Sequence, residues 1–198
     1  KKIASRISKL RRDGAKKLAQ QIDSQLELLG MPHASLEVTL RSVTSDNPVI
    51  HGLETVEFLV STNPGQEAKP LIKIASGGEL SRISLAIQVI TAQTSQTPSL
   101  VFDEVDVGIG GGVARTVGEL LRQLGSSTQI LCVTHQAQVA GQGHQHLFVT
   151  KINSANSTVT KIEELTDAAK IREVARMLGG EEVSVESLAH AEQMLASN

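Results

Sequence analysis

Two apolar segments of strand length, residues 100–102 and 129–133, stand on either side of a helix-length stretch. Each runs straight into polar residues: Asp103-Glu104 after the first, Thr134-His135 after the second. A strand, a helix and a second strand in that order join most simply as a right-handed parallel βαβ unit. Such a unit brings the ends of both strands to one edge, which is where open α/β sheets bind their ligands. The chain is therefore expected to be α/β, with its chemistry along one rim.

The rest of the pattern surrounds that unit. Ile3, Ile7 and Leu10, then Leu18, Ile22, Leu26 and Leu29, recur at spacings of three and four with charges between them, predicting an amphipathic helix or the end of a coiled coil. Gly14 is expected to interrupt this helix and Gly30-Met31-Pro32 to stop it. Alternation over residues 36–41 and 56–60 predicts an antiparallel strand pair across a polar loop holding Asn47, Pro48 and Gly52. A helix opening near Ser76 should be largely buried through Leu80, Ile83, Ile87 and Ile90, widened by Leu85, Ala86 and Val89. Helices are further predicted over about 113–124, 167–178 and 185–195, and a second strand pair over 147–151 and 157–162. The domains expected are the end of a coiled-coil arm, residues 1–30, and an α/β lobe, residues 31–198.

Three blocks carry chemistry. Ser76-Gly77-Gly78-Glu79 sets a hydroxyl and two glycines at a helix start, where free N–H groups and the helix dipole favour an anion such as a phosphate. Alone it reads more readily as an ordinary cap, with Ser as the N-cap residue. Asp103 and Glu104 end a hydrophobic strand, where adjacent carboxylates are costly unless solvated, hydrogen-bonded or bound to a cation. The first acid could hold Mg²⁺ and the second orient or deprotonate a water. His135 follows the other strand, a position that in isolation suits a solvated loop histidine. Nothing in the chain reads G-x-x-x-x-G-K-[ST], the loop that cradles a nucleotide's own phosphates.

The order Ser-Gly-Gly-Glu-Leu-Ser-Arg (76 to 82), then Asp103-Glu104-Val105-Asp106, then Val133-Thr134-His135, resembles the C-terminal half of an ABC-type (P-loop NTPase) ATPase head. Glu79-Leu80-Ser81-Arg82 stands where transporter subunits usually carry Gln. It narrows the resemblance to the branch of structural-maintenance-of-chromosomes (SMC) proteins and their bacterial DNA-repair relatives. Ala75, where most of the family has Leu, and Gly110-Gly111-Gly112 depart from the pattern. The resemblance implies the C-terminal lobe of such a head, with a parallel βαβ core, an antiparallel strand pair and an N-terminal coiled-coil helix. It implies that Ser76, Gly77, Gly78 and Glu79 form a signature motif gripping the terminal phosphate of ATP held on a partner head. It further implies that Asp103 binds Mg²⁺, through water, and that Glu104 is the general base. His135 becomes the switch that hydrogen-bonds the terminal phosphate, and Asp106 lies in the loop crossing to the partner. The partners implied are an N-terminal half carrying the missing phosphate loop, the second head of a homodimer, and DNA whose breaks are repaired. Without that half the chain is expected to be inactive.

Composition bounds the alternatives. The chain is 40% hydrophobic but only 2% aromatic, so its core is aliphatic. A net charge of −2 hides eight basic residues against one acid, Asp13, between Lys1 and Leu18. That basic helix is either a solvated coiled-coil face or a contact for DNA backbone through Lys9, Arg11, Arg12, Lys16 and Lys17. The lone Cys132 suits a reducing cytoplasm, and no apolar run reaches membrane-spanning length. His144, His146 and Cys132 are too few for a structural zinc, which needs four ligands, and no G-x-S-x-G elbow occurs. Two other classes stay open. A transporter's nucleotide-binding subunit is disfavoured by Glu79-Leu80-Ser81-Arg82, and a non-enzymatic dimerisation module by intact Asp103, Glu104 and His135.

Overall fold

The computed structural model describes residues 2–43, 51–92, 97–154, 157–180 and 182–197. The chain forms two compact units, one of Lys1–Thr97 with Asp103–Val105 and one of Pro98–Phe102 with Asp106–Asn198.

The first unit begins with helix α1, Lys2–Leu28, 27 residues long. The helix runs through Gly14 instead of breaking there. A single helical Gly costs only about 1 kcal/mol against Ala, and the helix formers around it absorb that. Burial is concentrated in the second half, at Ile22, Leu26 and the following Leu29, while Ile3 and Leu10 are exposed. The helix stops as expected at Gly30, φ 75°, a left-handed residue that glycine adopts without a Cβ penalty. Asp23 Oδ1 then accepts the Leu36 N–H at 2.7 Å, tying α1 to strand β1, Ser35–Ser42. Strand β2, Glu54–Ser61, pairs antiparallel with β1, with Leu36 opposite Val60 and Leu40 opposite Val56. A two-residue strand β3, Lys69–Pro70, adds an edge to β2, a place where the missing N–H of Pro is tolerated. Asn47 and Pro48 of the expected connecting loop lie outside the described residues.

Helix α2, Gly77–Thr91, packs on α1. Its buried stripe runs through Gly78, Arg82, Ile83, Leu85 and Ala86. Leu80, expected in that stripe, is 38% exposed, because the buried face is centred on residues 82 to 86 and rotated away from the row through residue 80.

In the second unit, β4, Ser99–Phe102, and β5, Gln129–Cys132, pair in parallel with Phe102 opposite Cys132. Between them runs α3, Gly111–Gly125, so the βαβ unit read from the sequence is present. One face of this two-stranded ribbon is buried through Phe102, whereas Val101, Leu131 and Val133 on the other are exposed. A four-residue helix α4, Ala137–Ala140, follows. Strands β6, Leu147–Ser154, and β7, Ser157–Glu164, then form an antiparallel hairpin with Val149 opposite Ile162. Helices α5, Asp167–Gly179, and α6, Val185–Ala196, close the chain around a core of Ala137, Val174, Ala175 and Ala191.

Candidate functional site

In the first unit, the expected phosphate-gripping block sits at the start of α2. Ser76 is the N-cap, in extended backbone at φ −89°, and its hydroxyl accepts the Glu79 N–H at 3.3 Å. Ser76 and Gly77 are exposed, Gly78 buried and Glu79 half-buried, so the helix start is open to solvent at Ser76 and Gly77. Arg82 is 7% exposed. Burial holds the pKa of its guanidinium below the ordinary arginine value, while the charge of Glu79 one turn away acts in the opposite direction.

The acid pair packs into this same unit. The Ser81 hydroxyl donates to the Asp103 carbonyl at 2.5 Å, tying the backbone of the acid pair to α2. Glu104 follows in left-handed backbone, φ 58°, a strained conformation for a residue with a side chain. Its carboxylate lies beside Gly77, where a Cβ would collide with Oε2. Gly77 and Glu104 are therefore neighbours, 27 residues apart in sequence. Asp103 is exposed, and its carboxylate has no ion pair among the described residues. These residues contain no group of three or more His, Cys, Asp or Glu able to hold a metal. One free carboxylate fits Mg²⁺, which keeps several waters and takes its remaining ligands from substrate phosphates.

The second unit holds the histidine. Asp106 is 1% exposed. Its Oδ2 accepts the Thr134 hydroxyl proton and, at 3.2 Å, the His135 N–H. Its Oδ1 lies 3.5 Å from His135 Nδ1. The Gln136 side chain donates to the carbonyls of Asp106 and Ile109 at 2.8 and 2.9 Å, and the Gln136 N–H bonds the Thr134 hydroxyl at 3.0 Å. The expectation that Asp106 serves a crossing loop does not extend to its carboxylate. A buried acid needs partners nearby, and these are Thr134 and His135 of the same chain. His135 itself is 68% exposed. Thr134 and Ser81 are thus positioning groups that the sequence named only as parts of motifs, and Gln136 is one that it did not name.

The basic stretch of α1 divides. Lys9, Arg12, Lys16 and Lys17 are exposed, as are Lys2 and Arg6. Arg11 is engaged elsewhere. Its guanidinium donates to the carbonyls of His51, 2.7 Å, and Glu54, 3.3 Å, and lies 3.6 Å from the Glu54 carboxylate. Arg11 staples the β1–β2 hairpin to the helix. Among the described residues, no helix is long and apolar enough to cross a membrane.

No protein-family model matches the chain. DNA repair protein RecN of Vibrio cholerae is 50% identical over 192 residues, covering 97% of this chain and 34% of that protein. RecN of Haemophilus influenzae is 46% identical over 192 residues, with the same shares, and RecN of Bacillus subtilis is 35% identical over 205 residues, or 97% of this chain and 36% of that protein. The chain spans about a third of the length of the curated relatives it matches. Its fold is that of an SMC head. The Smc head domain with a coiled coil and joint from Pyrococcus yayanosii superposes with a TM-score of 0.55 at 19% identity, over 83% of this chain and 29% of that one. An SMC ATPase structure described for ATP-driven dimerization and DNA-stimulated activation gives 0.50 at 16% identity, over 88% and 99%. The chain is a relative of bacterial DNA repair protein RecN, with the mixed α/β architecture of an ABC-type ATPase lobe.

Proposed function

We propose that this relative of DNA repair protein RecN is the C-terminal lobe of an SMC-like ATPase head, residues 31–198, entered by the end of a coiled-coil arm, residues 1–30. In the complete protein it would work in recombinational repair of DNA double-strand breaks. The observation that carries the reading is the placement of the Glu104 carboxylate against Gly77, at the start of α2. An anion-seeking helix start and an acid suited to activate water share one surface.

In this reading Ser76, Gly77 and Gly78 grip the terminal phosphate of ATP seated on a second head, so two heads close around two nucleotides. The glycines allow close approach and the helix start supplies N–H donors. Glu104 orients and deprotonates the attacking water, and His135 donates to the terminal phosphate. Asp103 holds Mg²⁺ through water, and the ion neutralises charge on the phosphates. Hydrolysis then proceeds by positioning and charge stabilisation without a covalent intermediate. The nucleotide's own cradle comes from the N-terminal half of the protein, so the 198-residue chain alone is inactive.

Two features of α1 extend the reading to partners. Exposed Ile3 and Leu10, a heptad apart, suit the seam of a coiled coil. The exposed Lys9, Arg12, Lys16 and Lys17 suit the backbone of DNA.

The decisive experiment is Glu104→Gln in the full-length protein. Loss of about 10²- to 10⁴-fold in ATP turnover, with ATP and a closed dimer accumulating, is the expected result. Unchanged turnover would leave Glu104 without a catalytic role and reject the reading.

A further inference from the structure

We infer that Asp106 is the positioning residue for His135, holding the ring by its Nδ1 edge so that Nε2 faces the phosphate; this rests on the ATPase reading above.

The geometry is asymmetric in a telling way. Asp106 Oδ2 is doubly occupied, by the Thr134 hydroxyl and the His135 backbone N–H. Oδ1 is buried and has no hydrogen-bond partner among the described residues. The polar atom in front of it is His135 Nδ1, at 3.5 Å. A buried carboxylate oxygen left unpaired is costly, so a small rotation of the ring to deliver Nδ1–H is favoured. Once that bond forms, the tautomer and the plane of the imidazole are set by the second acceptor, as for any histidine whose other nitrogen is anchored.

The backbone is fixed by the same acid. Oδ2 holds the residue before the histidine and the histidine's own N–H, while Gln136 laces the following residue to the Asp106 and Ile109 carbonyls. The histidine is therefore clamped at its main chain and at one ring nitrogen, with the rest of the ring in solvent at 68% exposure. The nitrogen left for a ligand is Nε2. Phosphate oxygens are acceptors, so the bond to the phosphate is one that Nε2 donates. Asp106 never touches the nucleotide in this arrangement, and its influence passes through His135.

The test is a double-mutant cycle in the full-length protein, with kcat and KM for ATP measured for D106N, H135A and the pair. Asn keeps the shape of Asp106 and can still accept from Thr134 and the His135 N–H, but it offers an N–H to Nδ1. D106N should lower kcat about 10- to 100-fold, as loss of a partner that orients a functional histidine does elsewhere, with KM changed less than about threefold. In the H135A background it should cost less than about twofold, because the group it acts through is gone. Effects that multiply in full would overturn the inference, since a merely structural acid is indifferent to the ring. A second measurement needs no variant to fold well. In full-length protein carrying ¹⁵N-histidine, His135 Nδ1 should resonate as a protonated nitrogen, and a ring protonated only at Nε2 would also overturn the inference. Glu104→Gln separates the failures. If it leaves hydrolysis intact, the ATPase reading falls; if it abolishes hydrolysis while D106N and H135A multiply, only the role of Asp106 falls.

Discussion

The carboxylate of Glu104 occupies the space that a side chain on Gly77 would fill. Gly77 is therefore small for a reason beyond admitting a ligand, and Gly77→Ala should separate folding from function. The obstructing atom is the tip of a flexible, exposed side chain that can swing away, so stability of the chain should change by less than about 1 kcal/mol. ATP turnover by the full-length protein should nevertheless fall at least about tenfold, since both the N–H face of α2 and the acid are disturbed. Melting curves and steady-state turnover read the two effects side by side. Turnover equal to that of the parent would remove Gly77 from the site.

Arg11 and its neighbours should respond differently to neutralisation. Arg11→Gln leaves the Glu54 carboxylate and two carbonyls without their donor, costing about 1–3 kcal/mol in stability. Its effect on DNA binding should be slight. Neutralising Lys9, Arg12, Lys16 and Lys17 together should leave the melting point nearly unchanged and weaken DNA binding by the full-length protein. The slope of log K against log salt should become shallower by about 0.9 for each phosphate that the variant no longer neutralises. Salt titrations of both variants check this, and an unchanged slope in the quadruple variant would exclude α1 as the DNA-binding element.

Gly118 lies in α3 where a Cβ would come 2.7 Å from Gln142 Cγ and 3.1 Å from the Gln138 carbonyl. Gln142 is buried, and its carbonyl is held by Arg122 at 2.7 Å, so the loop after α4 has little room to retreat. Gly118→Ala should destabilise the chain by about 1–3 kcal/mol through overpacking, against its gain in helix propensity. Chemical denaturation measures the balance, and a stabilised variant would mean that the loop yields.

His146 supplies a pH dependence. Its Nε2 is buried with no hydrogen-bond partner among the described residues. Burial, and next the charge of Lys170, hold its pKa below the ordinary 6.5, partly offset by a hydrogen bond to the Ala140 backbone and by Glu173. The folded chain thus resists a proton that the unfolded chain accepts. The stability from this site is complete above the ordinary value of 6.5 and is lost as pH falls through the folded value. Melting temperatures of the chain between about pH 7.5 and 5 should decline, and His146→Gln should decline less steeply. Parallel curves would assign the acid sensitivity to other groups.

Much of the fold is local and legible in the sequence. Ser76 capping α2, Gly30 ending α1 and the parallel pairing of the two apolar strands each follow from residues a few positions apart or from one connection rule. What escapes such reading depends on partners far along the chain. Gly77 meets Glu104, Arg11 meets His51 and Glu54, and Asp106 meets Thr134 and His135, all from distant stretches of sequence. No periodicity encodes such meetings. The inward turn of Asp106 is legible only once β4 and β5 lie side by side, because their parallel pairing brings the residues just beyond them together. Leu80 escapes for another reason: periodicity gives the width of an apolar stripe but not the angle at which the helix sets it down.

Helix α1 is held along its second half by Ile22, Leu26 and the Asp23 bond to Leu36, and tied to the β1–β2 hairpin at Arg11, while residues 2–6 stand largely in solvent. At about 1.5 Å per residue it is a rod about 40 Å long, so a tilt of about 10° at its root carries the tip roughly 7 Å. Changes too small to notice among the residues at its base thus become displacements as wide as a side chain at the far end. The base of this rod is therefore where a modest rearrangement of the lobe would be amplified into motion of whatever the arm holds.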